Sequence, residues 1–337
     1  MASKSKRESN IELLRVVVML MVVITHLYGI ALGYEVGENS WLSRVFFNCF
    51  FIIPVHVFIF ISGYYGITFR VNNLISLVIQ ALFYTLGIGF LFLLCGYPFT
   101  PYNYLTSILP ISTSYWWFLS TFIALYLLTP FLNLGIEKLS KQQLLISICG
   151  IAYLNYFSGF AFEKISNDGY SIFNFICIYL IAAYLKKYDI QIKRPLLVYL
   201  IASLITFAIM YNVAVLGGTV EERFFNLNSP FITLSAIAFF FIFKNLKVGY
   251  SATINKLASL SFGVYLIHAH RMVWAMILEA VNFLSEKFYD QYTLLIALFL
   301  LAIVIFVACI AIEQVRQWIC KPMEAKLHAY FDERLKA

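Results

Sequence analysis

Runs of about twenty apolar residues, broken by short polar stretches, recur from one end of the chain to the other; that is the length a helix needs to cross a bilayer core. The pattern predicts about ten helical spans, over residues 10–32, 42–67, 73–95, 115–136, 143–160, 171–187, 195–217, 229–246, 254–284 and 291–315. No repeat of fixed period, low-complexity tract or linker interrupts the succession. The expectation is one all-α domain over 1–337, a polytopic transmembrane helical bundle.

Composition agrees with this picture. Of 337 residues, 62% are hydrophobic and 12% charged, and the mean hydropathy is +0.83, whereas soluble domains carry roughly 25% charge. The 33 Phe and 23 Tyr suit lipid-facing surfaces and interfacial belts. Cys49, Cys95, Cys149, Cys177, Cys309 and Cys320 lie mostly in or at the ends of apolar runs without metal-type spacing. They read as small hydrophobes, and no metal is expected. The first run follows a basic start but is too long for the apolar core of a secretion signal, so it reads as an uncleaved span.

A net charge of +7 would point a soluble protein toward nucleic acid; here it has a topological explanation, and no nucleic-acid partner is expected. With ten spans, one side collects Lys4, Lys6, Arg7, Arg70, Lys138, Lys141, Lys186, Lys187, Lys193, Arg194, Lys244, Lys247, Lys256, Arg316, Lys321, Lys326, Arg334 and Lys336. The other side holds Arg44, Lys164, Arg223 and Lys287, together with the acids Glu35, Glu38, Glu163, Asp168, Glu221, Glu222, Glu286 and Asp290. Basic residues mark the cytoplasmic side, so both termini are expected there. The longest outer loop, 96–114, is uncharged and contains Pro98, Pro101 and Pro110. These prolines discourage a continuous helix, and a re-entrant or lid-like segment is expected.

Some spans carry residues that hydrocarbon should reject. In the first, Arg15 and His26 fall within about 20° of one helix face, about 16 Å apart along the axis. Arg15 lies near enough to the cytoplasmic edge to snorkel, so a topological anchor is one reading. His26 is deeper and needs partners for its ring nitrogens; a histidine bonded to a neighbouring helix and a functional one are both open. The second span adds Pro54, His56, Ser62 and Gly63 within FIIPVHVFIFISGYYG. The ninth adds His268, His270 and Arg271 within LASLSFGVYLIHAHRMVW. The two histidines would point about 200° apart on one helix, so His268 is favoured for a polar cavity and His270 is left to packing. Trp116 and Trp117 in SYWWFL read by themselves as an interfacial belt.

Together these residues resemble the acyltransferase-3 family, integral-membrane acyltransferases that modify extracytoplasmic glycans. The resemblance is carried by Glu12, Arg15 three residues on and His26 eleven beyond. Further pieces are VFIFISGYY around Ser62 and Gly63, WWFL with Trp117, and SFGVYLIH ending at His268. It implies a cytoplasmic acyl-CoA donor, usually acetyl-CoA, and as acceptor a hydroxyl of a cell-surface glycan or lipid-linked saccharide. It also implies a multi-pass protein of the plasma (bacterial inner) membrane. Arg15 and His26 are then the candidate catalytic residues. Arg15 would hold the donor's phosphates or orient its pantetheine arm, and His26 would serve as general base or transient acyl carrier. Glu12, Ser62, Trp117, Tyr265, His268 and Arg70 are the candidate substrate-binding residues, with Ser62, Tyr265 or the Trp117 indole available to the thioester oxyanion.

The chain departs from the family pattern in two places. Relatives often carry a close arginine pair after the second span, where TFRVNNL offers Arg70 alone. Lys186, Lys187, Lys193, Arg194 and Lys244 are substitutes, although topology already accounts for them. Larger relatives add a soluble hydrolase-like domain, and here a short tail follows the last span. A transporter or flippase with helices broken at Pro54 and Pro230 is the competing class. A structural or sensory protein would leave Arg15, His26 and His268 without a reason to accept their burial cost.

Overall fold

The computed structural model of the chain describes residues 8–32, 41–165, 167–215, 225–288 and 290–334. Lys4, Lys6, Arg7, Glu35, Glu38, Glu221, Glu222, Arg223 and Lys336, used above to orient the chain, lie outside these. The described residues form helices and no strand: α1 Ser9–Thr25, continued by a π-helical turn over His26–Ala31; α2 Trp41–Phe51; α3 Pro54–Tyr65; α4 Val71–Leu94; α5 Pro101–Ile108; and α6 Trp117–Lys138. There follow α7 Lys141–Ala152 with a π-helical continuation over Tyr153–Ala161, α8 Ile172–Lys187, α9 Pro195–Val215, α10 Pro230–Lys244, α11 Ala252–His268, α12 Arg271–Lys287 and α13 Gln291–Arg334.

Each predicted span falls on helix, and the bundle is polytopic. Among the described residues, seven segments are long and apolar enough to cross a bilayer: Ser9–Ala31, Trp41–Tyr65, Val71–Leu94, Trp117–Lys138, Lys141–Ala161, Pro195–Asn212 and Gln291–Arg334. Two predicted spans are shorter, α8 with 16 residues and α10 with 15. At 1.5 Å per residue they reach only about 24 Å. Both pack in the interior against α3, where neighbouring helices cover them in place of lipid.

The ninth span differs from the straight helix expected over 254–284. It breaks after His268, and α11 and α12 meet at 80°. The break has a local cause: His270 is the N-cap of α12, its Nδ1 accepting the Met272 N–H at 3.4 Å. α12 also carries Arg271, Glu279, Glu286 and Lys287, which would be costly in hydrocarbon. After the turn all four stand exposed on the surface of the bundle.

Proline and glycine set the central packing. Pro54 opens α3 and cannot bond the carbonyl four residues earlier; that carbonyl, Phe50, accepts instead from the Tyr199 hydroxyl at 2.8 Å. The next one, Phe51, accepts from Thr25 Oγ1 at 3.0 Å. Pro230 begins α10 at its first turn, where the missing N–H costs nothing, so it starts a helix and breaks none. On α3, a Cβ at Gly63 would overlap the Tyr179 carbonyl oxygen of α8 and lie 2.9 Å from the Ala182 Cβ. Gly63→Ala is therefore expected to destabilise the bundle by about 1–3 kcal/mol, read as a lower melting temperature in detergent; an unchanged melting temperature would refute the close packing.

Both described ends lie on one face. Ser9 Oγ donates to Asn255 Oδ1 at 3.0 Å, and Asn10 Nδ2 donates to the last carbonyls of α10, Phe243 and Lys244. At the other end, Asn72 Nδ2 donates to Asp332 Oδ1 at 2.9 Å. Glu8 ties this face together, accepting from Lys244 Nζ and Tyr65 Oη, each at 2.8 Å. Burial alone would raise its carboxyl, but these two bonds outweigh that and hold it below the ordinary carboxylate range. Arg44, expected in an outer loop, is instead fully buried on α2. The proline-rich 96–114 segment contains only the eight-residue α5, held to α4 where Thr85 Oγ1 donates to the Ser107 carbonyl at 2.7 Å.

Candidate active site

A cavity of about 330 Å³ runs between five helices. α1 lines it with Arg15, Met19, Val22 and His26, steps of four, three and four residues that keep to one stripe of a helix. α11 contributes Ala258, Ser261, Phe262 and Tyr265, and α3 contributes Val55, Phe58 and Ser62, again single faces. Leu77 and Gln80 of α4 and Trp117, Phe118 and Phe122 of α6 close it. Arg15 stands toward the face bearing the termini, with Glu12 Oε1 3.9 Å from its Nε. His26 stands toward the opposite end.

His26 and His268 meet, with 2.9 Å between His26 Nδ1 and His268 Nε2. Their proton positions follow from the next bond. His268 Nδ1 lies 2.6 Å from the Val264 carbonyl oxygen, which can only accept, so the neutral ring carries its hydrogen on Nδ1. Its Nε2 is then an acceptor, and His26 must donate from Nδ1. That leaves the lone pair on His26 Nε2. The Trp274 ring stands edge-on to His26 at 5.8 Å and helps fix its plane.

Three further candidates share the cavity with different prospects. Ser62 Oγ already donates its proton to the Phe58 carbonyl at 2.9 Å. The Trp117 ring packs against Tyr170 at 4.7 Å and Phe175 at 6.2 Å, and its indole N–H has no acceptor among the described residues. Tyr265 packs between Phe118 and His268. Arg70 does not line this cavity; it is the N-cap of α4, its backbone N–H bonded to the Tyr126 hydroxyl. Of the substitute cations, Lys244 is paired with Glu8 and Lys187 donates to the Ile136 carbonyl at the end of α6.

Several residues of the site carry no special signal in the sequence. Gln80 and Ser261 are single polar residues in apolar runs, and their helical phase relative to leucine neighbours is the one hint available. Trp274 comes beside His26 only because the chain turns between α11 and α12. His56, whose sequence context matches that of His26, is placed elsewhere: it is fully buried and its Nε2–H donates to the Leu227 carbonyl at 2.7 Å.

The chain matches no curated protein and no solved structure. The family model of the acyltransferase domain does match it, over residues 8–313. That stretch starts one residue before α1 and ends within α13, so every helix lining the cavity falls inside it. The chain therefore belongs to the acyltransferase-3 family and is a multi-pass membrane acyltransferase.

Proposed function

We propose that the protein transfers an acyl group, acetyl in the simplest case, from cytoplasmic acyl-CoA to a hydroxyl of a cell-surface glycan or lipid-linked saccharide across the plasma membrane. The observation carrying this reading is the bare Nε2 of His26 at one end of a cavity whose other end holds Arg15. The cavity volume is at the low end for ligand sites. A pantetheine arm with a small acyl group suits it, and the nucleotide stays outside.

In this reading the acceptor O–H proton passes to His26 Nε2 as its oxygen attacks the thioester carbon. His268 holds the His26 tautomer and shares the charge of the imidazolium. The carbon–sulfur bond then breaks, and the proton returns from His26 to the departing sulfur. The Trp117 N–H is the favoured oxyanion donor, because the Ser62 proton is already engaged. Arg15, steadied by Glu12, supplies positive charge where the donor enters.

Mass spectrometry of cell-surface glycans from cells with and without the gene tests the reading; identical acylation would refute it. Binding of labelled acetyl-CoA to purified protein separates it from transport, since a flippase has no use for the coenzyme. His268→Ala is expected to lower kcat about 10²-fold with the KM for acyl-CoA unchanged. His268→Gln, which can still accept from His26 Nδ1, should recover part of the rate. Equal loss in both variants would count against the tautomer-holding role.

A further inference from the structure

A second cavity, of about 270 Å³, lies on the other face of α12 beneath the 96–114 segment. Met272, Met276 and Glu279 line it from α12, while Ile277 and Val281 on the opposite face are buried in the core. The His26–His268 pair does not explain its polar groups. Arg271 is held between the rings of Tyr102, at 5.4 Å, and Tyr115, at 4.8 Å. Neither the Arg271 guanidinium, nor the Glu279 carboxylate, nor the Asn103 amide has a hydrogen-bonding partner among the described residues. Tyr115 is similarly available. His270 Nδ1 accepts from Met272 N–H, so its Nε2–H donates to the Tyr115 oxygen at 3.0 Å, and the phenol proton is left to point into the cavity.

We infer that this cavity is a saccharide subsite, binding a sugar unit of the acceptor next to the one that is acylated. Donors (Arg271, Tyr115), an acceptor (Glu279) and a group that is both (Asn103) match the mixed valence of a ring of hydroxyls. The aromatic walls, Tyr97 and Phe99 among them, offer faces to its C–H surface. A phosphate would meet the Glu279 carboxylate with a single cation to compensate. An acyl chain would strand three polar groups without partners. The position is also suitable: His270 lines the cavity and His268 bonds His26, and two residues span at most about 7 Å. For its place in the reaction this inference rests on the acyl-transfer reading, and its test does not.

The probe is the oligosaccharide mixture released from the envelope of cells lacking the gene, titrated against the purified protein by intrinsic fluorescence. Wild-type protein and His26→Ala are expected to bind it equally. Arg271→Gln and Glu279→Gln are each expected to bind about tenfold more weakly, the loss of one charged hydrogen bond, with acetyl-CoA binding unchanged. No binding to the wild type, or binding by both pocket variants as tight as that of the wild type, would overturn the subsite. If the pocket variants lose binding while His26→Ala still acylates glycan in cells, the subsite stands and the acyl-transfer mechanism falls.

Discussion

His26→Ala is expected to lower acyl transfer by about 10²- to 10⁴-fold, the range of a positioned general base, without loss of folded protein. The imidazole edge faces the cavity and makes one protein hydrogen bond, through Nδ1 to His268, so little of the packing depends on it. Removing it leaves the acceptor hydroxyl without its positioned base, since the nearest remaining lone pair, on His268 Nε2, stands 2.9 Å behind the place of His26 Nδ1. Acetyl-CoA binding should persist, because the entry end of the cavity at Arg15 lies about 16 Å away along α1. Rates measured with purified protein at matched folded concentrations decide the matter. Transfer within a few-fold of wild type would remove His26 from the chemistry. Loss of both transfer and acetyl-CoA binding would make it a structural residue.

The largest expected effect on stability lies away from the cavity. Glu313 is fully buried in α13, and its carboxylate accepts from Arg316 Nε and Nη2, both at 2.8 Å, and from the Tyr84 hydroxyl of α4 at 2.5 Å. Arg316 Nη1 reaches Glu324 at 2.9 Å. α11 closes over the cluster at Gly263, where a Cβ would stand 2.6 Å from Glu313 Cγ. Glu313→Ala takes two of the three carboxylate bonds from a buried guanidinium and the acceptor from a buried phenol, and is expected to cost about 3–5 kcal/mol. Replacing the pair with apolar residues of similar size, Glu313→Leu with Arg316→Met, should cost less than the single change, since the guanidinium is then gone and the carboxylate it also reached, Glu324, is only partly buried. Thermal unfolding in nanodiscs reads both. A single variant as stable as wild type, or a double variant worse than the single, would show that the pair is not the clasp between α4, α11 and α13.

Glu313 also shows where the sequence was mute. The hydropathy pattern ended the last span near 315 and assigned Arg316 to the basic face, giving Glu313 no role. The helix runs to Arg334, about 66 Å in length, and the acid and base three residues apart on it form an internal pair. Hydropathy registers how apolar a stretch is and not which neighbour covers it, so a charge neutralised by its own helix looks like a charge at the water boundary. His56 and His26 illustrate the same point. Both are lone histidines in apolar runs; one donates to a backbone carbonyl in a packed interior, the other faces a cavity.

Short-range chemistry was enough to determine that this chain is a bundle of membrane helices, roughly where most of them lie, and that Arg15 and His26 share one stripe, because hydropathy and helical phase are properties of consecutive residues. Tertiary structure decided that His268, 242 positions away from His26 in the chain, stands behind it and directs its lone pair into the cavity. It also decided that Arg70 does not line that cavity and that the ninth span turns through 80°. Each of those outcomes depends on which helix lies against which, and that is settled by close approach at places such as Gly63 and by the pairing of buried polar groups, neither of which any local window of sequence contains.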